Sequence, residues 1–139
     1  MTIGIKTGSW FAKLPPDHIK IGISRSAPRG LPAGYRLLKR LSPGPWFSTA
    51  TPVQYDRLYR DEILRPLNPH DVANQLLEMA AGKVPVMCCF ESKPGEQWCH
   101  RSMTARWLSD AIGQPVPEFG FESLSQQDHP FMPTELRAI

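Results

Sequence analysis

The apolar run from Val84 to Phe90 constrains the fold of this chain more than any other feature. Its residues, Val-Pro-Val-Met-Cys-Cys-Phe, include no charged side chain. A strand with one face in water alternates apolar and polar side chains, whereas a strand covered on both faces is apolar throughout. The run therefore predicts a central strand of a parallel sheet.

Other segments on either side of this run are also predicted to be strands. Thr2 to Lys6 and Ile19 to Ser24 carry isoleucines at alternate places, which is typical of strands. We expect Ile19 to Ser24 and Val84 to Phe90 to be parallel neighbours in the interior of one sheet, since Val84 to Phe90 lacks the alternation of a half-exposed strand. Val116 to Phe121 is a weaker strand candidate, since Pro117 suits only an edge.

Helices are predicted between these strands. Thr51-Pro52 and Asn68-Pro69 each combine a capping residue with proline at the first helical position. The predicted helices run from Thr51 to Leu64, from Asn68 to the stop signal at Gly82, and from about His100 to Ile112. This order of elements predicts an α/β fold, a single Rossmann-like domain with a small, mostly parallel sheet and helices packed on it.

The length of 139 residues indicates one domain, which we place at residues 1–122. The remaining segment, 123–139, is polar and punctuated by prolines. We expect this tail to be poorly ordered or merely draped over the domain.

No apolar run approaches the roughly 18 residues that a membrane helix needs, and the amino terminus lacks the pattern of a signal peptide. We therefore expect a cytoplasmic protein without a membrane partner. Its three cysteines, an odd number, are then expected to be reduced thiols. No feature of the sequence indicates an oligomeric state.

The predicted sheet places several polar residues at one edge. Ligands of open α/β sheets bind beyond the carboxyl ends of the strands, where loops meet helix amino termini. Ser24-Arg25 and Glu91-Ser92 follow two predicted strands, and Cys99-His100-Arg101 opens a helix. We predict one pocket, lined by Ser24, Arg25, Arg29, Glu91, Cys99, His100 and Arg101.

The same residues resemble a known family. The segment Val86-Met-Cys-Cys-Phe-Glu91, followed by Trp98-Cys-His-Arg101 at a helix start, resembles the hallmark of the DUF488 family of small α/β proteins. Thr2-Ile3-Gly4, Ile23-Ser24-Arg25 and Pro28-Arg29-Gly30 resemble its first two strands and a basic loop, so that the likeness extends to about residue 121. This chain differs from the family pattern in Ser24, where many relatives carry an acidic residue, and in the short first crossover from Ser9 to Pro16. The resemblance implies the fold and the place of the site, and contributes little on the reaction.

The pocket residues suggest the chemistry of an anion site. Arg25, Arg29 and Arg101, beside a helix amino terminus, would suit a phosphate or carboxylate group. The alternative for each arginine is a salt bridge with Glu91 or a solvated charge. His100 is the preferred general acid or base, while Glu91 either acts as a base or orients its neighbours.

Cysteine chemistry and metal binding are weighed against buried structural thiols. A thiol near a helix amino terminus and arginines tends toward thiolate, which makes Cys99 a candidate nucleophile. Cys89, Glu91, Cys99 and His100 are suitable metal ligands, but adjacent Cys99 and His100 would point about 100° apart on a helix. We therefore predict neither a metal nor a cofactor. Trp46 and Trp98 are considered as possible walls of the ligand site.

Two classes of function remain open. The first is an enzyme that acts on a phosphorylated or nucleotide-like small molecule, with arginines holding the anion. The second is a noncatalytic module for nucleotide or nucleic acid, using the basic stretch from Lys20 to Arg40. No acidic residue lies between His18 and Tyr55, so an anionic partner suits either class.

Overall fold

Four parallel strands form the sheet of this computed structural model, which describes residues 4–137. Their spatial order is β1-β4-β2-β3, so β4 and β2 occupy the interior. Ile21 pairs with Met87 where these two strands run side by side in parallel. The prediction of a small parallel sheet with two central neighbours is confirmed. The strands are β1 (Lys6–Ser9), β2 (His18–Gly22), β3 (Arg36–Leu37) and β4 (Val84–Cys89).

Strand β4 is buried on both faces, as its apolar sequence predicted. Met87 and Cys89 point into the main core beneath the helices. Val86 and Cys88 point to the opposite face, where they pack with the fully buried Trp10. Helices cover the first face and loops cover the second.

The helices begin where the sequence signals them. The Thr51 hydroxyl accepts from the backbone N–H of Gln54, whose side chain accepts from the Thr51 N–H in return. The Asn68 side chain caps the next helix by accepting from the backbone N–H groups of His70 and Asp71. Within residues 4–137, no helix has both the length and the apolar content needed to cross a membrane. The helices are α1 (Pro52–Leu58), continued by a π-helical turn (Tyr59–Leu64), then α2 (Pro69–Ala80), α3 (His100–Ile112) and α4 (Thr134–Arg137).

Two strand predictions differ from the structure. Residues 2 and 3 of the predicted first strand lie outside the described part of the chain, and β1 begins only at Lys6, because Gly4 has a φ of 75° that a strand does not allow. The segment from Val116 to Phe121 forms an isolated bridge between Glu118 and Thr7 instead of a strand. The short, exposed β3 lacks an apolar pattern and was not predicted.

The tail is packed more tightly than its polar sequence suggested. Phe131, Met132 and Leu136 are buried in the main core. The carbonyl of Phe131 accepts the backbone N–H of Cys99 at 2.9 Å, just ahead of α3. The expectation of a draped or poorly ordered tail is wrong for these residues, since three apolar side chains and a backbone bond hold them.

Candidate functional site

A cavity of about 470 Å³ opens beyond the carboxyl ends of β2 and β4. Both strands run in the same direction, so the residues that follow them meet at one edge of the sheet. Five of the seven predicted site residues line this cavity: Ser24, Arg25, Glu91, Cys99 and His100.

Arg25 is the cation of the cavity wall. Its Nη1 donates to the carbonyl of Pro43 at 3.0 Å, and its guanidinium lies 5.0 Å from the centre of the Phe47 ring. No carboxylate forms a salt bridge with Arg25 in the part of the chain that the structure describes. These two contacts orient the exposed side chain while most of its N–H donors stay free for an anion.

Ser24 has a structural role at the same edge. Its hydroxyl accepts from Trp10 Nε1 at 2.8 Å and donates to the carbonyl of Ser26 at 2.7 Å. The single hydroxyl proton is thus already used within the protein. Ser24 holds the loop that carries Arg25 to the cavity.

Glu91 and an aromatic cluster also line the cavity. The Glu91 carboxylate is half-buried, and it forms no hydrogen bond or salt bridge within residues 4–137. Tyr55 packs edge-to-face with Trp98 at 5.0 Å between ring centres. Burial raises the pKa of Tyr55 above its usual value, and the neighbouring Cys99 and Glu91 act in the same direction, so its hydroxyl stays neutral. Of the two tryptophans considered as walls of the site, Trp98 lines the cavity. Trp46 is not part of the lining and packs against Tyr55.

The two remaining predicted residues lie outside the cavity. Arg29 is exposed on the β2–β3 loop and does not contribute to the lining. Arg101 is fully buried, and its Nε and Nη2 each donate to a carboxylate oxygen of Glu118 at 2.9 Å. Its salt-bridge partner is therefore Glu118, whereas Glu91 was the partner considered from the sequence. Arg101 contributes indirectly, because Nη2 also donates to the Glu91 carbonyl at 3.0 Å and so holds the cavity rim.

The partners of Arg101 extend to the tail through a chain of hydrogen bonds. The Phe131 N–H donates to Nδ1 of His129, so the ring proton is assigned to Nε2, which donates to the Thr7 hydroxyl at 2.7 Å. That hydroxyl donates in turn to Glu118 at 2.8 Å. Burial, with the positive charge of Arg101 beside it, lowers the pKa of His129 to about 3. His129 is thus a neutral link between the tail, β1 and the buried ion pair.

The floor of the cavity is a buried cluster of two thiols and an imidazole. Sγ of Cys89 lies 3.7 Å from Nδ1 of His100, and Sγ of Cys99 lies 3.8 Å from the same atom. Nε2 of His100 lies 2.9 Å from the carbonyl of Ile23, its hydrogen-bond acceptor. All three cysteines of the chain are free.

Burial raises the pKa of the Cys99 thiol well above its usual value. A buried thiol of this kind is a poor nucleophile, because the thiolate is the reactive form. The cluster contradicts the expectation that Cys99 and His100 diverge. Cys99 is the residue before the helix, with extended backbone angles (φ −148°, ψ 145°), so its side chain is not set by helical geometry.

Several residues that shape the site could not be predicted from the sequence. Glu118 and His129 come from loops without a regular pattern, and no local signal marks them as partners of Arg101. Tyr55 lies on the buried face of α1, but its place at the cavity depends on how α1 packs.

No protein-family model, no curated protein and no solved structure matches this chain. The resemblance to the DUF488 family therefore stays a prediction.

Proposed function

We propose that the chain is an enzyme acting on a phosphorylated or nucleotide-like small molecule bound in this cavity. One observation carries the proposal. A single cavity joins the unpaired Arg25 guanidinium, aromatic walls and a Cys–His floor. Its volume of about 470 Å³ is within the range of small-molecule sites, roughly 300–1,000 Å³.

The roles follow from the chemistry of each wall. Arg25 binds the anionic group, because a guanidinium suits a phosphate or carboxylate through two parallel N–H donors. Phe47 and Trp98 provide apolar surface for a planar part of the ligand, such as a base. The reacting part then lies toward His100 and Glu91, the groups of this cavity suited to proton transfer.

A ligand in this cavity meets fewer arginines than the three that were predicted from the sequence. Arg101 is neutralised by Glu118 and Arg29 lies outside the lining, so one guanidinium faces the ligand. Glu91 and Glu96 also line the cavity, which disfavours ligands with several negative charges. We therefore expect a ligand with one anionic group to bind better than a highly charged one.

Binding by paired variants tests this proposal. Arg25→Gln removes the cation of the cavity, and Arg29→Gln is the matched control, since Arg29 is an exposed arginine of the same basic stretch. A charge-assisted pair contributes about 1.5–3 kcal/mol, so Arg25→Gln should weaken binding of a nucleoside monophosphate by roughly 10- to 100-fold. Arg29→Gln should leave it unchanged. Calorimetric titration with the nucleoside monophosphate, the nucleoside and inorganic phosphate measures the effect.

Two outcomes would contradict the proposal. Equal losses in both variants, together with affinity for oligonucleotides that falls steeply with salt, would indicate the alternative nucleic-acid module with distributed phosphate contacts. Binding that survives Arg25→Gln would remove the anion site from this cavity. For catalysis, Glu91→Gln should retain nucleotide binding but lose turnover on a panel of nucleoside and sugar phosphates.

A further inference from the structure

We propose that Cys89, Cys99 and His100 bind one transition-metal ion, best Zn²⁺, with a fourth coordination position that opens into the cavity. The three side chains are buried, and their ligand atoms all lie within 4.8 Å of one another. The metal site stands on these contacts alone. Only the identity of what occupies the fourth position rests on the proposed function.

The two S–N distances are close to those of tetrahedral coordination. For Zn–S bonds of about 2.3 Å and Zn–N bonds of about 2.0 Å, tetrahedral geometry separates sulfur from nitrogen by roughly 3.5 Å. The two Sγ to Nδ1 distances are 3.7 and 3.8 Å. The two S–N separations therefore need to shorten by only a few tenths of an ångström to bind an ion, and the three ligand atoms already lie within 4.8 Å of one another.

His100 is held as metal-binding histidines are held. A ligating imidazole usually donates its other ring N–H to a carbonyl or carboxylate, which fixes the tautomer and the ring orientation. Nε2 of His100 has this partner in the carbonyl of Ile23 at 2.9 Å. Nδ1 is then the ring nitrogen left for the ion. Because Sγ of Cys89 lies almost as near to Nε2 (3.8 Å) as to Nδ1 (3.7 Å), the ring must rotate for the Nδ1 lone pair to meet the ion.

The charge and the ligand types favour zinc. Two thiolates and one Zn²⁺ form a neutral unit, which burial tolerates far better than separate charges. Sulfur and imidazole ligands suit zinc or another soft divalent ion more than magnesium or calcium. Without a metal, Nδ1 of His100 has only the two long contacts with sulfur, at 3.7 and 3.8 Å, among the described residues.

Three protein ligands with an open position are typical of catalytic zinc sites, whereas structural sites have four. Cys89, Cys99 and His100 all line the cavity, so a water molecule or a ligand atom has access to the ion. With His100 engaged as a ligand, Glu91 remains as the carboxylate for proton transfer.

Metal titration of the full chain tests the proposal. The protein is reduced, treated with a chelator, and titrated with Co²⁺ and then Zn²⁺ under anaerobic conditions. We expect one equivalent of Co²⁺ with the intense visible bands of tetrahedral coordination and the near-ultraviolet absorption of Co–S bonds, both displaced by Zn²⁺. Azide should shift the visible bands, because it can occupy the open position.

Cys88→Ser is the matched control, since Cys88 is adjacent to Cys89 but points to the opposite face of the sheet. Cys89→Ser, Cys99→Ser and His100→Ala should each weaken metal binding by roughly 100-fold or more, because loss of an outer-shell partner alone costs 10- to 100-fold. Cys88→Ser should bind as the unaltered chain does. Far-ultraviolet circular dichroism of each variant, and the matching Cys→Ala changes, separate a lost ligand from a lost fold.

Several results would overturn the metal site. One is the absence of stoichiometric metal binding, and another is an equal loss of metal affinity in Cys88→Ser. A third is a Cys89–Cys99 disulfide that forms in the chelator-treated protein and explains why the two buried thiols are paired. A spectrum insensitive to azide would overturn the open position. Arg25→Gln should bind Co²⁺ normally, so a failed nucleotide site and a failed metal site give different results.

Discussion

Replacing Glu118 with glutamine should destabilise the fold by about 3–5 kcal/mol, because it leaves the Arg101 guanidinium charged and buried without a counter-ion. Arg101 has no exposed surface, and both carboxylate oxygens of Glu118 accept from it at 2.9 Å. Glutamine keeps the size of the side chain and one carbonyl acceptor. The change therefore removes the charge and one acceptor while disturbing the packing little.

Urea unfolding measures this loss. With a slope of about 1.5–2 kcal/mol per molar urea, the midpoint should fall by roughly 1.5–3 M. Tryptophan fluorescence and far-ultraviolet circular dichroism should report the same transition if unfolding is two-state. A domain of ordinary stability, about 5–15 kcal/mol, would keep only a small margin after such a change.

Glu91→Gln is the control, because the Glu91 carboxylate has no hydrogen-bond partner within the described residues and should tolerate the change within about 0.5 kcal/mol. The double variant Arg101→Met/Glu118→Leu should recover part of the loss, since it removes both buried charges. If Glu118→Gln proves as mild as Glu91→Gln, the ion pair does not stabilise the interior, and the structural role assigned to Arg101 is refuted.

Three further predictions concern the core. The pKa of His129 is about 3 in the folded state and roughly 6.5 in the unfolded state. Its contribution to the free energy of unfolding is therefore complete above pH 6.5 and is lost as the pH falls toward 3, by at most about 1.4 kcal/mol per pH unit. Unfolding free energies from pH 7 to 4 should show this slope, and His129→Gln should reduce it. Gly22→Ala should destabilise by about 1–3 kcal/mol in thermal unfolding, because the added Cβ would lie 2.1 Å from a ring carbon of Trp10. Tyr59→Phe should cost about 1–3 kcal/mol in the same assay, since its buried hydroxyl donates to the Leu41 carbonyl at 2.6 Å.

Much of the fold could be predicted because its determinants are local in the sequence. The apolar run of β4 required cover on both faces, and the structure buries Pro85 to Cys89. Helix α3 has the predicted bounds, since the extended Cys99 precedes it and Gly113, at a φ of 69°, ends it. The two-residue β3 has no such determinant, because its side chains are exposed and only backbone pairing defines it.

The place of the candidate cavity could be predicted from the sequence, but not every residue that forms it. Arg25 and Glu91 follow parallel neighbouring strands, so their meeting at one edge was a consequence of topology. Arg101 was assigned to the ligand because its counter-ion, Glu118, lies on a loop whose return to β1 has no sequence signature. The convergence of Cys99 with His100 depends on backbone angles just outside a helix, where residue spacing does not set direction.

The strand order has a consequence for how the chain acquires its structure. Lys6 pairs with Val86, and β4 lies between β1 and β2, so the central hydrogen bonds join segments far apart along the chain. Such a high contact order slows folding, because a long loop must close before pairing stabilises it. On the ribosome, β1 has no strand partner until β4 has emerged. Nascent chains that stop before Val84 should therefore remain open to proteases and to chaperones that bind exposed strands.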